Sequence, residues 1–291
     1  MISIIITSFK EPKTIGRAIE DFLNQDIKFK YEILVLAPDS ETLDVVKKYK
    51  NKKIKTIKDY GKGKPAALNL AFSRAKGDIL ILTDGDVCVS NDSVNNLIKH
   101  FKDKEIGGVT GRVISSNSKN NMFGYWAYLL TSGFHNSRLL DKKNNKNTIC
   151  SGYLYAIRKN LIERIPENIL ADDAFISLHI NQKGFKTIYE SDSEVYVKYP
   201  TNLPDWIRQK KRTASRYYQL KNYFKLSKMS SFKQETLSGS KVIFKIKNFK
   251  HLFWFIFLII MRFYIWFRVF FDKRLWKREF KKTWQRVEST K

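Results

Sequence analysis

The chain has 291 residues, 43% hydrophobic and 14% aromatic, with a formal net charge of +26. This length and apolar content exclude a disordered chain and allow one large domain, or one domain with an appendage. Two cysteines, Cys88 and Cys150, exclude a disulfide framework and read as buried free thiols, while His100, His135, His179 and His251 are too scattered for a zinc site.

The strands and helices follow in chain order. ISIIIT (2–7) is a β-branched apolar run and reads as a buried strand. Pro12 opens a helix over 12–25. EILVL (32–36) is a second buried strand, followed by a helix over 40–49 and a weaker strand, KIKTI (53–57). The loop GKGK (61–64) precedes a helix over 66–75 that Gly77 stops, and ILIL (79–82) is the third clear strand. Strands alternating with helices imply an α/β fold with a parallel sheet. Past Gly107 the pattern is mixed: GVTGRVI (108–114) and TICSGYLYAI (148–157) read as strands around a helical, aromatic stretch at 122–137. No internal repeat is visible.

Ligands of such sheets sit beyond the carboxyl ends of the strands. That rule selects 7–11, 37–40, 61–64 and 83–86. Asp84-Gly85-Asp86 puts two carboxylates one residue apart past a strand, which suits a hard divalent cation shared with phosphate; a solvated turn has the same composition. Lys62 and Lys64 stand in a glycine-spaced loop before a helix, which suits a phosphate or an exposed basic loop, and the P-loop ending is absent. Glu11 and Asp39 suit either a ligand or a helix N-terminus. Asp172 and Asp173 open an amphipathic helix, as a proton acceptor or as charges matched to the helix dipole. Gln209 and Arg212 share a helical face in a region basic enough to be simply solvated. Gly152 is a ligand approach or a strand kink.

Taken in order, ISIIITSFKEP (2–12), KPAALNLAFSRAKGDILILTDGD (64–86), SGYLYAIRKNLI (151–162), ADDAFISLHINQKG (171–184) and QKKR (209–212) resemble the family 2 glycosyltransferases over residues 1–220. The resemblance implies the GT-A fold, Rossmann-like with a mostly parallel central sheet, and an inverting transfer from a nucleotide-sugar, a UDP-sugar in the family pattern. It implies that Thr7, Glu11 and Lys64 line the nucleotide pocket. Asp84 would approach the ribose and the metal, and Asp86 would be the main ligand of Mg2+ or Mn2+. Asp173 would be the catalytic base, Arg212 would pair with the diphosphate, and Gly152, Asp172 and Gln209 would face the acceptor. The chain departs from the pattern in three places. Lys10 stands where Asn is usual. Ala37-Pro38-Asp39-Ser40 replaces an Asp-Asp-Gly-Ser turn that reads uracil, so Asp39 becomes the candidate for the base and the nucleotide stays open. Thr213 replaces a tryptophan of the acceptor platform, which argues against processive polymer synthesis.

Charge and apolarity both rise toward the end. From Trp206 onward there are 23 Lys+Arg against 4 Asp+Glu. The chain therefore divides near Pro204 into a catalytic domain (1–204), a basic helical segment (205–240) and an aromatic, basic membrane-association segment (241–291). Residues 252–271 are long enough to span a bilayer, but Arg262 lies in their middle. Bases flank both ends, Lys245, Lys247 and Lys250 before and Lys273, Arg274, Lys277 and Arg278 after, so no direction across a membrane is encoded. An in-plane or re-entrant helix on an anionic leaflet is expected, with Trp254, Trp266, Trp276 and Trp284 at the interface; a helix packed on the protein's own core is the alternative. No nucleic-acid motif is present, so no nucleic-acid partner is expected. The start of the chain lacks a signal-peptide pattern, which places the protein at the cytoplasmic face of the membrane. The expected acceptor is then a hydroxyl of a membrane-linked glycan or lipid. Three other readings stay open: transfer to a polyprenyl phosphate, a sugar-phosphate nucleotidyltransferase (which would carry a Gly-rich loop where this chain has SFKEP), and a non-catalytic membrane or nucleic-acid binder.

Overall fold

The structure is a computed structural model and describes residues 1–225, 245–272 and 287–290. The chain forms two units: residues 1–113 with 138–197, and 114–137 with 198–291. The second begins close to the expected division at Pro204, but it also takes in the aromatic stretch before residue 138.

The first unit is built on an eight-stranded sheet. In chain order its elements are β1 (Ile2–Thr7), α1 (Ile15–Leu23), β2 (Tyr31–Ala37), α2 (Ser40–Lys47), β3 (Ile54–Lys58), α3 (Lys64–Arg74), β4 (Ile79–Asp84), β5 (Cys88–Val89), α4 (Ser93–Ile98), β6 (Ile106–Ser115), α5 (Met122–Lys143), β7 (Leu154–Arg158), α6 (Asp172–Gln182) and β8 (Lys186–Val197). The sheet order is β3-β2-β1-β4-β7-β6-β8-β5. Strands β3, β2, β1 and β4 are parallel, and β1, β2 and β4 are the nearly unbroken apolar runs expected of strands buried on both faces, whereas β3 alternates with lysines. Every residue of β1 and β2 is buried. Strands β7, β6, β8 and β5 bring antiparallel pairing, so the sheet is mixed, as the second half of the sequence suggests.

Three local differences matter for the site. Helix α1 starts at Ile15, because Pro12 to Thr14 make a turn. Helix α3 starts at Lys64, with Pro65 in its first turn and Gly63 at φ 102°, so the lysine sits on the helix N-terminus. The expected strand over 148–157 is ordered only as Leu154–Arg158, which leaves Cys150, Ser151 and Gly152 outside the ladder and facing other partners.

The second unit includes the first part of α5 and two further helices, α7 (Leu203–Leu220) and α8 (Phe249–Phe270). Its core joins Tyr125, Trp126 and Leu129 of α5, Trp206 and Ala214 of α7, and Leu258, Met261, Ile265 and Val269 of α8. Asn248 caps α8 by accepting from His251 N at 2.8 Å, and His251 stacks on Tyr125 at 4.2 Å. Trp126 Nε1 donates to the Trp254 carbonyl at 2.6 Å. Trp254 and Trp266 pack against this core, which ties them to the protein more than a purely interfacial role implies. The expected interfacial residues Trp276 and Trp284 and the basic residues Lys273, Arg274, Lys277 and Arg278 lie outside the described residues, as do 226–240 of the basic helical segment.

Candidate active site

Parallel register brings the strand ends together. Thr7 at the end of β1 lies opposite Asp84 at the end of β4, and Ala37 of β2 opposite Lys58 of β3. Thr7 Oγ1 donates to Asp84 Oδ1 at 3.4 Å, and Gly85 N donates to the Thr7 carbonyl at 2.9 Å. The Asp-Gly-Asp turn is thereby bound to the end of the first strand. Gly85 is fixed by crowding: a Cβ there would stand 2.6 Å from Ser8 Oγ and 2.9 Å from Glu11 Oε2. Ser8 Oγ donates to Glu11 Oε2 at 2.7 Å, and Glu11 N donates to Thr42 Oγ1 at 2.9 Å. Glu11 is therefore buried and held by its neighbours. Ser8 was not singled out from the sequence, and its spacing of three from Glu11 in a turn is the signal that marks it.

Asp39 caps α2 by accepting from Thr42 N at 2.9 Å, and it accepts from Lys10 N at 2.8 Å. Burial raises its pKa, but these hydrogen bonds outweigh burial and hold it below the ordinary carboxylate value. Each oxygen keeps a second lone pair, so capping and base recognition are compatible. Lys10 has φ 55°, in the left-handed region that Asn adopts more readily than lysine.

Lys64 joins the second half of the site to the first. Its Nζ donates to Asp84 Oδ1 at 2.6 Å, lies 3.5 Å from the Gly152 carbonyl and 3.8 Å from Asp172 Oδ2. Burial works against its charge, yet the carboxylates of Asp172, Asp84 and Asp173 outweigh burial and push the pKa up, so Lys64 stays an ammonium. Burial pushes Asp172 up as well; Lys64 opposes this, and Asp173 adds to it. Asp172 Oδ2 and the Tyr155 hydroxyl are buried without a hydrogen-bond partner among the described residues. Tyr155 was not anticipated; its place on β7 beside these acids pushes its pKa well up, chiefly by burial.

Asp173 differs from its neighbour. It is half-buried, whereas Asp172 is 9% exposed. Asp173 Oδ2 accepts from Gly152 N at 2.9 Å and Oδ1 from Ala174 N at 2.8 Å, so the carboxylate is oriented by backbone donors. A Cβ on Gly152 would stand 3.5 Å from both Asp173 Oδ2 and Lys64 Nζ, so Gly152 leaves a methyl-sized space between the acid and the lysine. Cys150 and Cys88 are free thiols, Cys150 buried and Cys88 half-buried. Burial pushes the Cys150 thiol up to about 12, which makes it inert.

Thr7, Glu11, Asp39, Lys64, Asp84, Asp86, Gly152, Asp172 and Asp173 thus all belong to the first unit, at or beside the strand ends. Gln209 and Arg212 belong to α7 in the second unit. Among the described residues no three His, Cys, Asp or Glu side chains converge as a protein-only metal cage. The donors at 84 and 86 are hard carboxylates in a turn, and that set fits Mg2+ or Mn2+, which is commonly held by one or two carboxylates together with phosphate oxygens.

Comparison with known proteins bears on the family and the fold. A Bacillus subtilis protein described as a probable glycosyltransferase, YdaM, is 25% identical over 246 residues, covering 78% of this chain and 59% of its own. The chain spans about half the length of the curated relatives it matches. Among solved structures, a mannosyltransferase from Pyrobaculum calidifontis in complex with GDP-mannose and Mn2+ superposes with a TM-score of 0.70 at 17% identity, covering 96% of this chain and 88% of that one. Staphylococcus aureus TarS (1–349) in complex with UDP superposes with a TM-score of 0.53 at 16% identity, covering 83% and 70%. These likenesses show the fold, which is GT-A. The model of the family described as glycosyl transferase family 2 matches residues 3–166, more than half of the chain. The chain therefore belongs to glycosyl transferase family 2.

Proposed function

We propose that the protein transfers a sugar, with inversion, from a nucleoside-diphosphate sugar to a hydroxyl of a membrane-linked glycan or lipid. The observation that carries this reading is the Lys64 bridge: one ammonium at a helix N-terminus, 2.6 Å from Asp84 and 3.8 Å from Asp172. It places a fixed positive charge among strand-end acids, where a diphosphate can be received. Thr7, Glu11 and Asp39 are assigned to the nucleoside, with Asp84 at the ribose. A UDP-sugar suits the family pattern, and the neighbours' own complexes contain UDP in one case and GDP-mannose in the other. Mg2+ or Mn2+ would be held by Asp86, with Asp84, and when bound supplies positive charge against the leaving diphosphate.

Asp173 is assigned as the base. Its carboxylate takes the proton of the acceptor hydroxyl, the acceptor oxygen bonds to the anomeric carbon, and the bond from that carbon to the diphosphate oxygen breaks with its electron pair. A nucleoside diphosphate leaves. Half-burial and two backbone donors suit Asp173 to this role, whereas Asp172 is buried toward Lys64. Gly152 is assigned to the acceptor, because its missing side chain leaves space beside Asp173. The test is Asp173→Asn: transfer to a hydroxyl acceptor is expected to fall about 100-fold or more, with nucleotide affinity unchanged. Full transfer by this variant would remove the base assignment and favour an acceptor that is already anionic, such as a polyprenyl phosphate.

Membrane attachment is assigned to α8. The helix has 22 residues and contains an 18-residue stretch of mean hydropathy 1.9, enough by length and composition to cross a bilayer. One face packs on the core of its own unit, while Phe249, Phe253, Ile256, Ile260, Phe263 and Phe267 form an exposed stripe on the other. Lys245, Lys247 and Lys250 precede it. An apolar stripe beside bases suits an in-plane helix on an anionic, cytoplasmic leaflet.

A further inference from the structure

Helix α3 has a second face that the reaction centre does not use. Ala67, Leu68, Ala71 and Phe72 are its buried side, toward the sheet. The opposite side runs from Ala66 to Ser73, about 10 Å along the helix, and is the floor of an open groove of about 390 Å³ in the first unit. The groove is also lined by Tyr60 and Lys62, from the loop before α3, and by the segment 163–167. Asn69 fixes that segment on the helix: its Nδ2 donates to the Ile165 carbonyl at 2.9 Å, and its Oδ1 accepts from Ile165 N at 2.8 Å. The turn carrying Tyr60 is held as firmly. Asp59 N donates to the Ala37 carbonyl at 3.1 Å, and Gly61 N donates to Asp59 Oδ1 at 2.7 Å. The groove is therefore formed before any ligand arrives.

Its chemistry is mixed in a particular way. Tyr60 is 75% exposed, more than any other large apolar or aromatic side chain among the described residues of the first unit. A ring held out from the core by a fixed turn offers its face to C–H groups and its hydroxyl to a polar one. Lys62 and Glu163 are exposed and make no hydrogen bond or ion pair with a described residue, so their polar ends are available. Arg164 pairs with Glu167 at 2.7 Å. Two bases and two acids cancel, so the lining favours neither a phosphate nor a cation. A hydroxyl donates to a carboxylate and accepts from an ammonium or a guanidinium, so a polyhydroxyl ring uses both kinds of charge at once. An aromatic face with balanced donors and acceptors suits a neutral sugar. Both sides of the groove also lead to the candidate base. Helix α3 begins at Lys64, the segment 163–167 runs on to Asp172 and Asp173 at the start of α6, and Lys64 Nζ lies 3.8 Å from Asp172 Oδ2.

We propose that Tyr60, Lys62, Glu163 and Arg164 form a subsite for a neutral sugar residue of the acceptor glycan, other than the residue that takes the new sugar. Tyr60 is the stacking platform, and Glu163 and Lys62 meet the ring hydroxyls. The subsite deepens the reading of the protein as a transferase acting on a glycan, and it rests on that reading.

The test presents the full chain to immobilised neutral oligosaccharides of hexose and N-acetylhexosamine units, beside the same oligosaccharides carrying uronate or phosphate groups. The wild type is expected to bind a neutral oligosaccharide about fivefold or more better than its charged counterparts. Tyr60→Ala is expected to weaken that binding about tenfold, and Glu163→Gln about threefold. Both side chains are exposed, so both variants are expected to keep the wild-type Tm; should Tyr60→Ala fail to fold, Glu163→Gln carries the comparison. Neutral binding that both variants keep overturns the subsite, as does the absence of any neutral binding. A preference for the uronate or phosphate forms overturns the neutral sugar. Release of nucleoside diphosphate by the wild type from UDP- and GDP-sugars with Mn2+, in the absence of acceptor, reads the transfer chemistry separately. Tyr60-dependent binding together with that release supports the subsite. Tyr60-dependent binding without it overturns the link to transfer and leaves a sugar-binding groove, whereas release without Tyr60-dependent binding overturns the groove and leaves transfer standing.

Discussion

Two glycines separate folding from chemistry at the scale of single residues. A Cβ on Gly85 would stand 2.6 Å from Ser8 Oγ and 2.8 Å from Ser8 Cβ, distances that only movement of the turn can relieve. Gly85→Ala is expected to lose about 1–3 kcal/mol of stability and, by displacing Ser8 and Glu11, to weaken nucleotide binding. On Gly152 the same methyl would meet Asp173 and Lys64 at 3.5 Å, ordinary contact distance. Gly152→Ala is therefore expected to melt within about 0.5 kcal/mol of the wild type while turnover falls, because the methyl fills the space assigned to the acceptor. Thermal denaturation and nucleotide calorimetry on the pair check this contrast, and equal losses of stability would remove it. The acids and Lys64 stand out as candidates by charge at strand ends and helix starts together with the order of the family-like motifs, since each position alone also suits a turn or a helix cap. Ser8 and Tyr155 do not, because a serine in a turn and a tyrosine in a strand acquire their meaning only from what lies beside them in the folded chain.

Legibility of elements follows the same division. Strands β1, β2 and β4 are uninterrupted apolar runs because both faces are covered, so their type was plain from the sequence. The segment 148–157 looked equally apolar, but only its second half joins the ladder; Cys150 N turns to Ser177 Oγ and Ser151 N to Thr110 Oγ1 instead. Strand β8 carries the alternation of a half-buried strand among many charges, a weaker signal, and it went unassigned. The α7–α8 seam yields a prediction of its own. Burial, with Arg262, Arg216 and Arg212, pushes the Lys210 pKa down from 10.5 to about 7. Below about pH 7 the folded and unfolded chains both hold the proton, so the full cost of the buried charge is present. From there up to 10.5 only the unfolded chain holds it, so this group adds stability as pH rises. Lys210→Met is expected to melt above the wild type at neutral pH and to lose that advantage progressively as pH rises toward 10.5. Melting curves across this range check it; an advantage that grows with pH would be the wrong sign.

Charge and apolar surface act together at the scale of the whole molecule. Of the net +26, most lies from Trp206 onward, so association with an anionic surface is driven largely by one part of the chain. Electrostatic attraction and apolar insertion respond differently to salt. Raising ionic strength from about 0.1 to 1 M shortens the screening length from about 10 to 3 Å, which removes the pull of exposed lysines and leaves insertion of the α8 stripe untouched. Phe253 and Phe263, 67% and 54% exposed, are the stripe's aromatic positions away from both ends. Each is worth about 1.5–3 kcal/mol when its side chain is fully removed from water. The wild type is therefore expected to bind anionic vesicles at low salt and to keep a weaker, salt-resistant binding at high salt. The Phe253→Ser/Phe263→Ser double variant is expected to keep the salt-sensitive part and lose the rest. Sedimentation with vesicles at both salt levels reads the two parts separately, and light scattering without lipid reads the competing occupant of the stripe. A lipid-free dimer that the double variant breaks would assign the stripe to a second copy of the chain, because the spacing of four and three along it also suits helix pairing. A monomer whose salt-resistant vesicle binding disappears with the two phenylalanines would assign it to the membrane.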